Sequence, residues 1–151
     1  MRSGSDAAYP VRVTWRAIDR LQAEIEEFAD RVTARILVEV PEYSADATAR
    51  TLLGPSVQQN ADEVLHVLRG EPAAMAAARN VGLASAIGTS LPLDAVLRAY
   101  QVARDAFVGR LRELGDGEDL GEPLGRLESA YREAVASISE EYLAAKRRLG
   151  G

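Results

Sequence analysis

Histidine is the side chain whose acid–base and metal chemistry is easiest to place near neutral pH, and this 151-residue chain has one, His66. It follows Glu63 at the Glu-x-x-His spacing that sets two metal ligands on one helical face in diiron carboxylate bundles. Such a centre takes two copies of the motif, and the chain supplies one. A globin-style haem would have to use His66 as its axial ligand, but a helical shape does not by itself imply that cofactor. A Ser-His-Asp triad would also run through His66, and no G-x-S-x-G elbow presents a nucleophile. Neither a G-x-G-x-x-G nor a Walker-type phosphate loop is present. The lack of cysteine removes disulfides, thiolate zinc sites and a cysteine nucleophile together. Glu24, Glu26, Glu27 and Asp30 read as the solvated face of a helix, since acid–base catalysis needs carboxylates converging in a water-poor cleft. No catalytic residue, metal or cofactor is therefore expected, and the protein is not expected to be an enzyme.

What remains is recognition. Trp15, Tyr100, Phe107 and Tyr131 are candidates to line a small-molecule pocket between helices, with Arg104 or His66 as the orienting polar group. Core packing is the plainer account of aromatic residues at helical spacing. Arg104 shares a helical face with Tyr100 and Phe107, and a buried guanidinium needs a carboxylate partner or an anionic ligand. Its burial therefore decides between pocket and packing. Arg98, adjacent to that face, is expected to point outward toward a contact between chains.

The elements that must position these residues are helical throughout. Over 11–40, Val11, Trp15, Ile18, Leu21, Ile25, Phe28, Val32 and Ile36 recur every three or four residues, and Pro41 ends the run. Residues 41–55 read as a connector with one short helical piece, broken at Gly54-Pro55, before a second helix over 56–69 with Gly70 as a left-handed cap. An alanine-rich helix spans 72–87. Pro92 suits the first position of the next helix, and Asp94 meets the positive end of its dipole. That helix carries Leu93, Leu97, Tyr100, Phe107 and Leu111 inward and ends near Gly115-Asp116-Gly117; a last helix covers 120–149. No strand-length stretch alternates with period two. The expected fold is all-α, an antiparallel bundle of five to six helices or a globin-like arrangement without haem, with residues 1–10 a flexible tail and 11–149 one regulatory domain.

Charge and patterning limit the partners. The net charge of −5 repels phosphate backbones and anionic membrane surfaces. "MAAARNVGLASAI" has the small residues of a helix-turn-helix, but its second half offers no Arg, Lys, Gln or Asn to read bases, so no direct nucleic-acid binding is expected. Without a signal-peptide core or an apolar run of membrane-spanning length, the chain is expected to be cytoplasmic.

Three stretches carry a family resemblance: "ILVEVPEYS" at 36–44, "NADEVLHVLRG" at 60–70 and, above all, "GTSLPLDAVLRAYQVARDAF" at 88–107. With Pro92, Leu93, Asp94, Leu97, Arg98, Ala99 and Tyr100 as its core, the sequence resembles the amino-terminal helical, RsbRD-like sensory domain of actinobacterial PucR/CdaR-type transcriptional regulators. Val40 to Tyr43 and Asn60 add to the match. The chain departs from the family's pattern at Leu83, Ala84, Ser85 and Gln101, where basic residues are usual. The resemblance implies a signal-input and dimerisation domain: a homodimer, responsive to a small-molecule effector, that modulates a DNA-binding helix-turn-helix absent from this chain. A stressosome-type, RsbT co-antagonist-like protein-interaction module is the second reading, and a haem-binding globin-like sensor the third.

Overall fold

The computed structural model describes residues 15–150; the expected tail over 1–10 and the expected helix start at Val11 lie outside the described residues. Among the described residues seven helices follow one another: α1 (Arg16–Ala23), α2 (Ile25–Glu39), α3 (Pro41–Ala45), α4 (Ala47–Leu68), α5 (Ala76–Gly88), α6 (Leu93–Leu114) and α7 (Gly121–Leu149). No strand occurs among the described residues. The long helices alternate in direction, as cross-links show. α4 runs antiparallel to α1 and α2, with Gln58 bonded to Glu26 and Asp30, and Arg69 to Asp19. α6 also opposes α1 and α2, through Arg98–Glu42, Arg110–Glu24 and Arg20–Leu114. α7 opposes α4 and α6, through Asn60–Tyr131, Arg126–Leu68 and Tyr142–Leu91. The alternation sets α5 alongside α7 in the same direction: Gly82 lies at Ile138 and Ala86 clusters with Tyr142 and Ala145.

The first expected helix is two. Glu24 leaves helical geometry (φ −113°, ψ 15°), and its carboxylate accepts two bonds of 2.8 Å from Arg110 of α6 and one of 3.0 Å from Arg31. These arginines hold the Glu24 carboxyl below the usual carboxylate range, with Arg110 the larger cause. At the other end of α1, Glu118 accepts from the first backbone amides, Arg16 and Ala17, both at 2.9 Å, so a residue far along the chain caps this helix.

The expected break at Gly54-Pro55 does not occur; α4 runs through it. Pro55 lies on the exposed side, where the missing backbone hydrogen bond and the crowded carbonyl face solvent. Ala49, Leu53, Val57, Ala61, Val64 and Leu68 meanwhile stay in one buried stripe across it. Burying side chains of this kind is worth about 1.5–3 kcal/mol each for the larger ones, and together they exceed the roughly 3 kcal/mol that an interior proline costs. The short helical piece expected in the connector is α3, begun by Pro41. Gly70 has φ +89°, the left-handed cap expected after the helix.

Asp46 joins three elements. It caps α4 by accepting from Ala49 N at 2.9 Å, and it holds the turn before α6 by accepting from Ser90 N and Ser90 Oγ, both at 2.7 Å. These bonds favour the charged carboxylate, with the Ala49 amide the largest cause, and bring it down to about 2 from the ordinary 3.8. A carboxyl whose folded pKa is depressed stabilises above its unfolded pKa and loses that contribution as pH falls through the folded value. The wild-type chain should therefore lose more stability than Asp46→Asn between about pH 4 and about pH 2. Urea midpoints of the two proteins across that window test this, and parallel acid limbs would refute it.

Candidate functional site

The two middle helices with the smallest side chains leave a space that neighbouring large residues do not fill. A cavity of about 60 Å³ lies between α2, α3, α4, α5 and α6. Ile36 and Tyr43 border it from α2 and α3, and Ala49, Leu53, Val57 and Asn60 from α4. The opposite walls are Val81, Ala84 and Ser85 of α5, Thr89 and Leu91 of the following turn, and Ala99, Tyr100 and Ala103 of α6. No charged side chain lines it. A second hollow of about 30 Å³, bordered by Asn60, Glu63, Val64, Met75, Leu127 and Tyr131, lies on the other side of Asn60.

The polar groups between the two hollows form a short chain. Asn60 Nδ2 donates to Tyr131 Oη at 3.0 Å, and the Tyr131 ring sits edge-on to Tyr100 with centroids 6.0 Å apart. Tyr43 is buried and Tyr100 half-buried, and among the described residues neither hydroxyl has a hydrogen-bond partner. Burial pushes the pKa of both well above the ordinary tyrosine value, so both stay protonated and available as donors. Burial likewise raises the Glu63 carboxyl at the second hollow. The Thr89 hydroxyl donates to Ser85 O at 2.7 Å and accepts from Leu91 N at 3.1 Å.

The six residues expected at a binding site are not brought together. Tyr100 lines the first cavity and Tyr131 the second. Phe107 is fully buried in the core, its ring 5.0 Å from that of Phe28 in an edge-on arrangement. Trp15 packs at one end of the bundle, its indole N–H donating to Asp119 O at 3.1 Å and its face under the Arg126 guanidinium. His66 is at the surface, bonded to Glu71. Arg104, with 31 % of its side chain exposed, is neutralised by Glu128 of α7 and by Asp105 at 2.7 Å, and borders neither hollow. It bridges α6 to α7 on the outside of the aromatic pair. Arg98 does face away from Tyr100, but its guanidinium is held within the chain by Glu42 and by Asp94 at 3.2 Å.

Tyr43, Asn60, Ser85 and Thr89 were not singled out as site residues. Tyr43 and Asn60 stand inside the stretches that carry the family resemblance, which was the available signal. In the fold those stretches converge: 36–44 supplies Ile36 and Tyr43, 60–70 supplies Asn60, and 88–107 supplies Thr89, Leu91, Ala99, Tyr100 and Ala103 to one cavity. The Arg98–Glu42 pair joins the first stretch to the third directly.

Other surfaces are less suited to a ligand. A shallow groove between α2 and α6 carries Arg31, Arg35 and Arg110, but these pair with Glu24, Glu39 and Glu113. Among the described residues no group of three or more His, Asp or Glu is placed to hold a metal ion, and no helix is long and apolar enough to cross a membrane. A family model described as the RsbT co-antagonist protein rsbRD N-terminal domain matches residues 26–151. No curated protein and no solved structure matches the chain.

Proposed function

Since the chain belongs to the family of RsbT co-antagonist protein rsbRD N-terminal domains, we propose that it is a signal-input domain whose partly open interhelical cavity senses a small molecule and whose α7 passes the signal on. The observation that carries this reading is the convergence of all three family-like stretches on one apolar cavity. The route outward is short. α5 presents Val81, Ala84 and Ser85 to the cavity, while its Gly82 lies directly against the α7 backbone at Ile138. A helix this slim, with the cavity on one side and α7 on the other, moves as a packed unit when the cavity fills, because tightly packed elements shift between discrete arrangements rather than deform.

The recipient of the signal is a DNA-binding helix-turn-helix of a PucR-type regulator, as the Pro92–Tyr100 core suggests, and the role includes pairing of two copies as a homodimer. The family description, which names a co-antagonist protein, favours a second recipient, a protein partner of stressosome type. In a longer protein that joins this domain to its output, Ala84→Leu fills part of the cavity from α5 and should change promoter affinity about tenfold, measured by DNA-binding titration. A change in partner binding with promoter affinity untouched selects the second recipient. Indifference of both outputs to Ala84→Leu sinks the signal-input reading.

A further inference from the structure

We propose that the cavity takes a small uncharged molecule, mostly hydrocarbon, whose one or two hydrogen-bond acceptor oxygens meet the hydroxyls of Tyr43 and Tyr100. This inference rests on the signal-input reading and adds the chemical class of the effector.

Size comes first. A volume of about 60 Å³ has room for roughly four to six water-sized groups, which corresponds to a molecule of about four to eight non-hydrogen atoms when part of it reaches the opening. Charge comes second. With walls such as Leu53, Val57 and Val81 and no ionised side chain among the lining residues, an ammonium or carboxylate would lose its hydration with no partner to replace it, a cost that far exceeds the gain from burying its hydrocarbon. The molecule is therefore neutral.

Hydrogen-bond polarity comes third. Tyr43 and Tyr100 have hydroxyls with no acceptor among the described residues, and because neither oxygen is sealed off as Glu42 Oε1 is, both stand on the accessible cavity wall, where an incoming acceptor can reach them. Among the described residues neither hydroxyl is bonded to a neighbouring acceptor: the Thr89 oxygen accepts from Leu91 N, and the Asn60 amide group is turned to Tyr131 on the far side. An incoming carbonyl or ether oxygen satisfies the tyrosines, whereas a ligand bringing only donors would leave them unmet. A ketone, ester or ether of this size fits all three conditions.

Cyclohexanone and cyclopentanecarboxylate, both within that size range, titrated into the isotopically labelled 151-residue chain, separate the possibilities. Cyclohexanone should produce saturable shifts of the Leu53, Val81, Ala84 and Ala103 amides, and the carboxylate should bind at least tenfold more weakly. Tyr43→Phe combined with Tyr100→Phe keeps the ring volume and should weaken cyclohexanone binding at least tenfold, with each single variant in between. Equal binding of the carboxylate, unchanged affinity in the double variant, or no saturable shift with cyclohexanone overturns the assignment. If cyclohexanone fails while Ala84→Leu still alters the output of the longer protein, the ligand class falls and the signal-input reading stands. If Ala84→Leu is also silent, both fall.

Discussion

Phe107→Ala should lower the unfolding free energy of the domain by about 3–5 kcal/mol, the largest effect of any single truncation considered for the aromatic residues. Phe107 is 0 % exposed and sits on α6 where the α1–α2 pair packs across it, its ring edge-on to Phe28 at 5.0 Å. Truncation removes the transfer free energy of the ring, leaves a void that the surrounding helices close only partly, and forfeits an aromatic pair worth about 0.5–1.5 kcal/mol beyond area. Alanine's better helix propensity returns no more than about 0.7 kcal/mol, so the loss wins. Against a total stability of about 5–15 kcal/mol for a domain of this kind, the variant would be close to unfolding at moderate temperature. Urea denaturation should show a lower midpoint with an unchanged slope. A loss below about 1 kcal/mol would mean that Phe107 borders open space and belongs to a binding site after all.

The second large effect concerns the α5–α7 contact. A Cβ built on Gly82 would stand 2.6 Å from Ile138 O and 3.1 Å from both Ile138 Cα and Glu141 Cβ. Two of those three atoms are α7 backbone, which cannot swing aside as the end of a long side chain can. Gly82→Val should therefore push the helices apart and cost about 1–3 kcal/mol, as overpacked cores do. The few tenths of a kcal/mol that valine gains over glycine in helix propensity do not offset this. Amide exchange around Ile138 should speed up, because local opening follows the loss of tight contacts. In the longer protein the same substitution should alter output without any ligand, because it displaces α5 from its seat on α7. A Gly82→Val protein with wild-type stability and unaltered exchange in α7 would show that α5 does not couple the two.

These expectations rest on parts of the molecule that were unequally legible. The start of α6 was readable at Pro92 and Asp94, and the left-handed cap at Gly70, because capping and dipole effects are local. The run through Gly54-Pro55 was not, since the local signals for a break are real and were overruled by a buried stripe that gains its stability only against α2, α5 and α7. The split at Glu24 depends on Arg110, which is 86 residues away in sequence. The candidate site shows the same division. Tyr100 and Tyr131 were found as aromatic residues on inner faces, but so was Phe107, and nothing in their spacing distinguishes a cavity wall from a filled core. Arg104 offered the sharpest question, and Glu128 answers it: an interhelical carboxylate partner is present, and the guanidinium stays at the surface.

By itself the sequence determined an all-helical class, both limits of α6 and α7, the lack of thiol chemistry and the three stretches that carry the family resemblance. Those properties reside in spacings of three or four residues and in composition, so they are complete before any helix meets another. Only the tertiary structure decided that Tyr43, Asn60 and Tyr100 share a cavity, that α5 lies between that cavity and α7, and that no charge enters it. A cavity is the volume that packed helices fail to fill. Here it is left by small residues such as Ala49, Ala84, Ala99 and Ala103 on three different helices, and no local pattern records where those will face one another.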